Sequence, residues 1–285
     1  MTAIHLGDIT YEATVSGSGP PVVFLHGFTG SATDWAPFTP AISALRTAVA
    51  IDLLGHGSSS RPADPARYAL ERQSVDLAAA VEQLGLGHVG VVGYSYGARI
   101  ALKFAIDHPE WVTGLALESP SAGIAEPAER RRRRASDEAL ADDLERDGID
   151  AFARRWADQP VFTSERRLPD AVRRDLEDRR RANDAAALAA ALRGAGQGAM
   201  TPLHADLARI AVPAAILAGS LDETGLTRAR IVAAGIPGAT LDVLDGVGHA
   251  AHREAPRSFA AWLATALDRI DALVAVPSSP HRRSP

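Results

Sequence analysis

One pentapeptide constrains this chain more than any other: Gly93-Tyr94-Ser95-Tyr96-Gly97. It closes the apolar run Val89-Gly90-Val91-Val92-Gly93 and opens a helix-compatible stretch from Tyr96 to His108. Glycines two residues either side of a serine allow a strand-to-helix turn too tight for side chains at those positions. Such a turn lifts Ser95 above the end of a sheet, at a helix N-terminus. There, backbone N–H groups and the helix dipole favour negative charge. A glycine-rich turn with an incidental serine would share the letters, but the strand before it and the helix after it favour a reactive serine.

The rest of the chain supplies a sheet for that turn. Short apolar runs recur at Pro21–Leu25, Ala48–Asp52, Val89–Gly93, Leu115–Leu117, Ala214–Ala218 and Thr240–Leu244. Helical stretches separate several of them, notably Gln73 to Leu84. Apolar strands alternating with helices predict an α/β fold with a mostly parallel sheet covered on both faces. Ligands of such sheets bind beyond the carboxyl ends of the strands.

From about 121 to 203 the strand rhythm stops and apolar residues fall at helical spacing, as with Leu140, Leu144, Phe152 and Trp156. This segment is expected to be a helical cap acting as a lid, inserted into a core made of 1–120 and 204–276. Residues 277–285, rich in Pro and Ser, are expected to be a disordered tail. The run Arg130-Arg131-Arg132-Arg133-Arg134 invites a nucleic-acid reading, but Glu126 to Arg181 holds 15 Arg against 15 Asp and Glu. Most of those charges are expected on solvated helix faces, paired with near neighbours. The chain's net charge of −5 likewise gives no reason to expect nucleic acid as a partner. Its 285 residues contain no cysteine, which excludes disulfides and thiol chemistry. No apolar run approaches the roughly 18 residues of a membrane span. The N-terminus has no basic start followed by an apolar run, so no signal peptide is expected.

A serine hydroxyl needs a base, and a chain-order Ser…Asp/Glu…His is the pattern that goes with this turn. Gly246-Val247-Gly248-His249 follows the last strand, so His249 is the expected base, with His252 as competitor. Asp222, just past Ala214–Ala218, is the expected acid, with Glu223 and Glu118 as alternatives. The loop His26-Gly27-Phe28 follows the first strong strand. Its Phe28 N–H, with Tyr96 N–H, is the expected oxyanion hole, while His26 is expected to be structural. Arg99 lies one helical turn beyond Ser95. A guanidinium buried there needs an anion, either an internal carboxylate or one on a substrate.

Taken together, these residues resemble the α/β-hydrolase superfamily and, in finer detail, the MenH-type 2-succinyl-6-hydroxy-2,4-cyclohexadiene-1-carboxylate (SHCHC) synthases of menaquinone (vitamin K2) biosynthesis. The similarity runs from His26-Gly27-Phe28-Thr29-Gly30 to Gly248-His249-Ala250-Ala251-His252-Arg253-Glu254. It includes the elbow from Gly93 to Arg99, the cap entry Leu117-Glu118-Ser119-Pro120-Ser121-Ala122-Gly123, and Trp156-Ala157-Asp158-Gln159-Pro160-Val161-Phe162 within the cap. Arg181-Ala182-Asn183-Asp184 and Leu192-Arg193-Gly194-Ala195-Gly196-Gln197-Gly198 also match family segments. The resemblance implies an α/β-hydrolase fold with the cap inserted after the sixth strand. It implies a carbon–oxygen lyase that eliminates pyruvate from 2-succinyl-5-enolpyruvyl-6-hydroxy-3-cyclohexene-1-carboxylate, with Ser95, Asp222 and His249 as triad and Ser95 as base. It assigns Arg99, Arg133 and Arg181 to the carboxylates of a small tricarboxylate substrate, and Trp156 and Tyr94 to the pocket wall. It calls for no metal or organic cofactor and fits a cytoplasmic enzyme.

The chain also departs from the family. A G-x-x-D-x-K-F pattern around the acid reads Gly219-Ser220-Leu221-Asp222-Glu223-Thr224-Gly225, keeping the acid but losing the lysine and the aromatic. D-L-P-G-H-G reads Asp52-Leu53-Leu54-Gly55-His56-Gly57, and position 98 is Ala where Gly is common. The alternative is a serine hydrolase acting on an ester or carbon–carbon bond of an acidic substrate with the same triad. Haloalkane dehalogenase and epoxide hydrolase chemistry is disfavoured, since both need Asp in place of Ser95. A non-catalytic receptor on this scaffold would have no need of all three triad residues.

Overall fold

A computed structural model describes residues 1–274. The tail expected at 277–285, and the last two residues of the expected core, lie outside the described residues. Eight strands form one sheet in the order β1-β2-β4-β3-β5-β6-β7-β8. They are β1 Thr2–Leu6, β2 Ile9–Ser16, β3 Pro21–Leu25, β4 Thr47–Asp52, β5 Val89–Tyr94, β6 Val112–Glu118, β7 Ala214–Gly219 and β8 Thr240–Leu244. β1–β2 and β2–β4 pair antiparallel, and every later pair is parallel. The helices are α1 Thr39–Ser43, α2 Leu70–Gln83, α3 Tyr96–Asp107, α4 Pro127–Ala157, α5 Asp170–Arg181, α6 Ala185–Ala195, α7 Glu223–Gly235, α8 Ala251–Glu254 and α9 Pro256–Val274.

The central strands are apolar throughout because both sheet faces are covered. Val23, Leu25, Val91, Leu115 and Leu117 pack in one cluster with α2, α3 and α7. Their neighbours Val22, Phe24, Val92 and Ala116 point the other way, onto Phe259, Leu263 and Ile270 of α9. All six strands read from continuous apolar runs are present. The two N-terminal strands left no apolar run, though a cap after the sixth strand counts them. Their signal is alternation rather than a run: Ile9, Tyr11 and Ala13 are buried while Thr10 and Glu12 between them are not. Counting them, the helical insertion follows the sixth strand.

That insertion consists of α4, α5 and α6 with short 3₁₀ turns between α4 and α5. α4 bends at Gly148, whose φ of +78° interrupts the helical geometry. The bend returns Phe152 toward Ala141, Leu144, Leu188 and Leu192, which bury one another as a separate apolar cluster. Phe28, from the loop after β3, packs against both this cluster and the main core. Several of the cap's arginines pair with near neighbours, as expected, such as Arg146 with Asp143 and Asp147 and Arg173 with Asp170, while Arg193 of α6 instead reaches across to Glu138, Asp142 and Glu145 of α4.

Candidate active site

The sharp turn after β5 has the geometry its glycines require. Ser95 sits at φ +49°, ψ −99°, a strained left-handed conformation for a residue with a side chain. A Cβ at Gly97 would stand 2.2 Å from the Leu25 carbonyl oxygen, and one at Gly93 2.7 Å from the Ala98 Cα. Neither backbone can yield, so both positions must be glycine. Ser95 N–H donates to the Glu118 carbonyl of β6 (2.9 Å), and Gly97 N–H to the His26 carbonyl (3.0 Å). These bonds tie the turn to its flanking strand ends.

Three loops at the carboxyl ends of β5, β7 and β8 then converge. His249 Nε2 lies 2.9 Å from Ser95 Oγ, and His249 Nδ1 lies 2.5 Å from Asp222 Oδ2. The carboxylate can only accept, so Nδ1 carries the ring proton and Nε2 is the acceptor facing the serine hydroxyl. Asp222 caps α7, and its other oxygen accepts from Gly225 N–H at 2.9 Å. Burial pushes the Asp222 carboxyl up, but the hydrogen bond from His249, that ring's charge and the Gly225 N–H outweigh it and hold the group below its ordinary value. A Cβ at position 225 would stand 1.9 Å from Asp222 Oδ2, so loss of the aromatic there leaves the room this carboxylate uses.

The competitors are committed elsewhere. His252 is buried, and its Nδ1 bonds Glu118 Oε2 at 2.8 Å while its backbone N–H donates to Glu118 Oε1 at 3.0 Å. Glu118 therefore positions the loop behind His249 rather than the ring itself. Ser119 Oγ adds a bond to the His249 carbonyl (2.8 Å). Glu223 is exposed. His26 is structural: its Nδ1 donates to the Gly27 carbonyl at 2.8 Å and its Nε2 accepts from Leu53 N–H at 2.9 Å. Complete burial lowers the basicity of that ring and keeps it neutral. It fixes the loop that brings Phe28 to the elbow, where the Phe28 and Tyr96 rings meet edge to face at 6.4 Å.

A cavity of about 820 Å³ opens above the serine, between the sheet and the cap. Phe28, Tyr94, Ser95, Tyr96, Trp156, Asp222 and His249 are in its wall. Trp156 stacks on Phe152 and meets Phe28 and Phe162, and Phe162 in turn meets His249. Tyr94 is buried against His249 and His252, which raises its phenol well above the ordinary value.

Arg99 is 8% exposed and lines the same cavity. Its Nη1 donates to the Ala195 carbonyl (2.6 Å), and its guanidinium lies over the Tyr96 ring, but no carboxylate pairs with it among the described residues. Burial, with nearby Arg133 and Arg228 adding repulsion, lowers it to about 10. Arg133 also lines the cavity, its Nε on Asp137 Oδ1 at 2.7 Å. Arg181 is the one residue assigned by resemblance that the structure does not bring to the cavity wall. The end of α5 turns it toward Glu177, Asp178 and Asp150, whose three carboxylates hold it there. In contrast, Arg228 of α7 does line the cavity, and nothing in the sequence distinguished it among 29 arginines.

The fold and this constellation belong to one class. A family model described as the alpha/beta hydrolase fold matches residues 20–256, and the chain belongs to that family. A Bacillus subtilis protein, provisionally named as a 2-succinyl-6-hydroxy-2,4-cyclohexadiene-1-carboxylate synthase, is 37% identical over 86% of this chain and 90% of its own length. A Klebsiella pneumoniae enzyme of that name is 32% identical over 87% of this chain and 94% of its own. The solved structure of MenH from S. aureus superposes with a TM-score of 0.87 at 30% identity, covering 92% of this chain and 98% of the other. Within the α/β hydrolases, the chain belongs with the SHCHC synthases.

Proposed function

We propose that this chain is an SHCHC synthase of menaquinone biosynthesis, a carbon–oxygen lyase that eliminates pyruvate from 2-succinyl-5-enolpyruvyl-6-hydroxy-3-cyclohexene-1-carboxylate. The observation that carries the residue roles is the joining of two features in one cavity: a Ser95–His249–Asp222 relay at its floor and a buried arginine without a carboxylate partner on its wall. An acidic small molecule fits that combination.

Ser95, its hydroxyl proton drawn to His249 Nε2, takes the ring proton next to the succinyl carbonyl. The electron pair of that C–H bond moves onto the carbonyl oxygen. Phe28 and Tyr96 N–H groups receive this oxyanion. Its collapse shifts the ring double bond and breaks the bond from the ring to the enolpyruvyl oxygen. The departing enolate gains a proton and leaves as pyruvate. Asp222 stabilises the imidazolium that forms midway. Trp156 and Tyr94 wall the ring in, and residues 121–203 act as the cap that keeps water away. No helix of the described residues is long and apolar enough to cross a membrane, and a cytoplasmic enzyme on a small-molecule substrate is the setting we infer.

The test measures pyruvate release from the enolpyruvyl substrate beside hydrolysis of a neutral activated ester. The lyase predicts rapid pyruvate release, abolished in Ser95→Ala, with negligible ester turnover. Ester turnover through a trapped acyl-Ser95, with no pyruvate, would instead mean a hydrolase on the same scaffold.

A further inference from the structure

Arg228 is the cation of this cavity that neither motif nor resemblance assigns. It follows Asp222, the N-cap of α7, by six residues, and Asp222, Gly225 and Arg228 all line the cavity. One face of the first two turns of α7 therefore carries both the triad acid and this guanidinium. Arg228 is half-buried and makes no hydrogen bond or ion pair among the described residues. Most cap arginines, Arg181 included, have carboxylates of their own.

Two of the three guanidiniums at this end of the cavity, Arg99 and Arg228, have no paired carboxylate among the described residues. Arg99, Arg133 and Arg228 lie close enough that each disfavours a neighbour's charge. Of the nearby carboxylates, Asp137 has its oxygens committed to Arg133 Nε and to Gly198 N–H. Asp222 also attracts Arg228 but is bound to His249 and Gly225. Asp143 and the exposed Glu223 also line the cavity, but Asp143 is paired with Arg146, and neither Arg99 nor Arg228 has a carboxylate within ion-pair distance among the described residues. Partly desolvated like charges are tolerated where anions arrive to separate them. The segment that lacks the family's lysine at position 224 thus carries a cation one helical turn further on.

We propose that Arg228 is a substrate-carboxylate ligand, completing with Arg99 and Arg133 an anion site that takes two carboxylates of one substrate. This rests on the acidic-substrate reading above and replaces Arg181 by Arg228 in the carboxylate-binding set. A planar guanidinium suits bidentate carboxylate pairing, and an ammonium retains the charge but not the fork.

The experiment uses two readouts on the full chain. The first is KM and kcat for pyruvate release in wild type, Arg228→Gln and Arg228→Lys. The second is calorimetric titration of tricarballylate, a non-reacting tricarboxylate, into the same proteins. Arg228→Gln is expected to raise KM about tenfold or more, the scale of one lost charge-assisted pair. Its kcat is expected to change by less than about threefold. Tricarballylate affinity should fall in parallel, and Arg228→Lys should recover part of both. KM and affinity within twofold of wild type in Arg228→Gln, or no tricarballylate binding by wild type, overturns the proposal. If wild type binds tricarballylate through Arg228 yet releases no pyruvate, the lyase reading fails while the anion site stands.

Discussion

Asp222→Asn is the perturbation that most directly tests how the relay is wired. Asp222 accepts two bonds, from His249 Nδ1 at 2.5 Å and from Gly225 N–H at 2.9 Å. Asparagine fills the same volume but offers one acceptor and one donor. With its oxygen toward Gly225, its amide N–H faces His249 Nδ1. That nitrogen must then accept, which moves the ring proton to Nε2. Nε2 lies 2.9 Å from Ser95 Oγ and can no longer take the serine proton. With the amide flipped, N–H confronts the Gly225 N–H, and a buried donor goes unsatisfied at a cost of about 1–3 kcal/mol. The first arrangement therefore prevails, and the protein stays folded with the wrong tautomer.

Loss of the correct tautomer in a triad lowers kcat by about 10⁴-fold, which is about 5.5 kcal/mol of barrier. The same size of loss is expected here, because a serine base needs the same acceptor as a serine nucleophile. The assay is pyruvate release coupled to lactate dehydrogenase, with KM and the thermal midpoint recorded alongside. KM should hold within a few-fold, since Asp222 touches the ring and α7 rather than the substrate's carboxylates. A kcat within tenfold of wild type in a folded Asp222→Asn protein would refute the wiring and return the acid's role to another carboxylate.

Three further perturbations probe the scaffold. Gly97→Ala places a Cβ 2.2 Å from the Leu25 carbonyl oxygen; displacing the elbow also displaces Tyr96 N–H, so kcat should drop about 10²-fold or more, and an active variant of wild-type stability would contradict the close approach. Phe152→Ala empties the centre of the cap cluster, where the ring is wholly buried, and should cost about 3–5 kcal/mol, read as faster proteolysis of 121–203 and a lower midpoint in urea. Asp34 is buried between Arg253 (3.1 Å) and Arg179 (3.2 Å), joining cap to core. Asp34→Asn, which leaves Arg253 with Glu165 and Arg179 with Asp175, should cost about 1–3 kcal/mol. Burial opposes the Asp34 charge, but the guanidiniums of Arg253 and Arg179 hold its carboxyl below the ordinary 3.8. Its stabilisation is thus complete above about pH 4, the unfolded value, and is lost as pH falls through the lower folded value. Acid titrations of unfolding should be less steep below pH 4 in Asp34→Asn, and identical slopes would show that the pair contributes nothing.

What the sequence disclosed of the fold followed from how locally each element is encoded. β3 to β7 are buried on both faces, so burial writes itself as unbroken apolar runs such as Val22-Val23-Phe24-Leu25. β1 and β2 lie at the antiparallel edge, where one face meets solvent, and their alternation escapes a search for runs. The elbow was legible for the opposite reason. Its backbone passes so near Leu25 and Ala98 that only glycine fits at 93 and 97, and a steric demand of that kind leaves a mark in the letters.

Charged side chains leave no such mark, because what decides their role is helical phase. Successive residues on a helix point about 100° apart. Within the five arginines of α4, Arg133 reaches the cavity and Asp137, while Arg131, Arg132 and Arg134 are exposed. Near the end of α5 the same geometry sends Arg180 inward to Glu165 at 2.8 Å, Arg179 to Asp34, and Arg181 away to Glu177. A slip of one position exchanges a buried ion pair for a pocket ligand with no change in composition. Arg228 sits in a helix whose other arginine, Arg230, is exposed; three residues fix the phase there, since Asp222, Gly225 and Arg228 share a face with the triad acid at its head. The anion site is therefore a property of where three helices aim single residues, α3 at Arg99, α4 at Arg133 and α7 at Arg228. The relay, by contrast, belongs to loops at strand ends, and that is why its three members could be named from neighbouring glycines and strands alone.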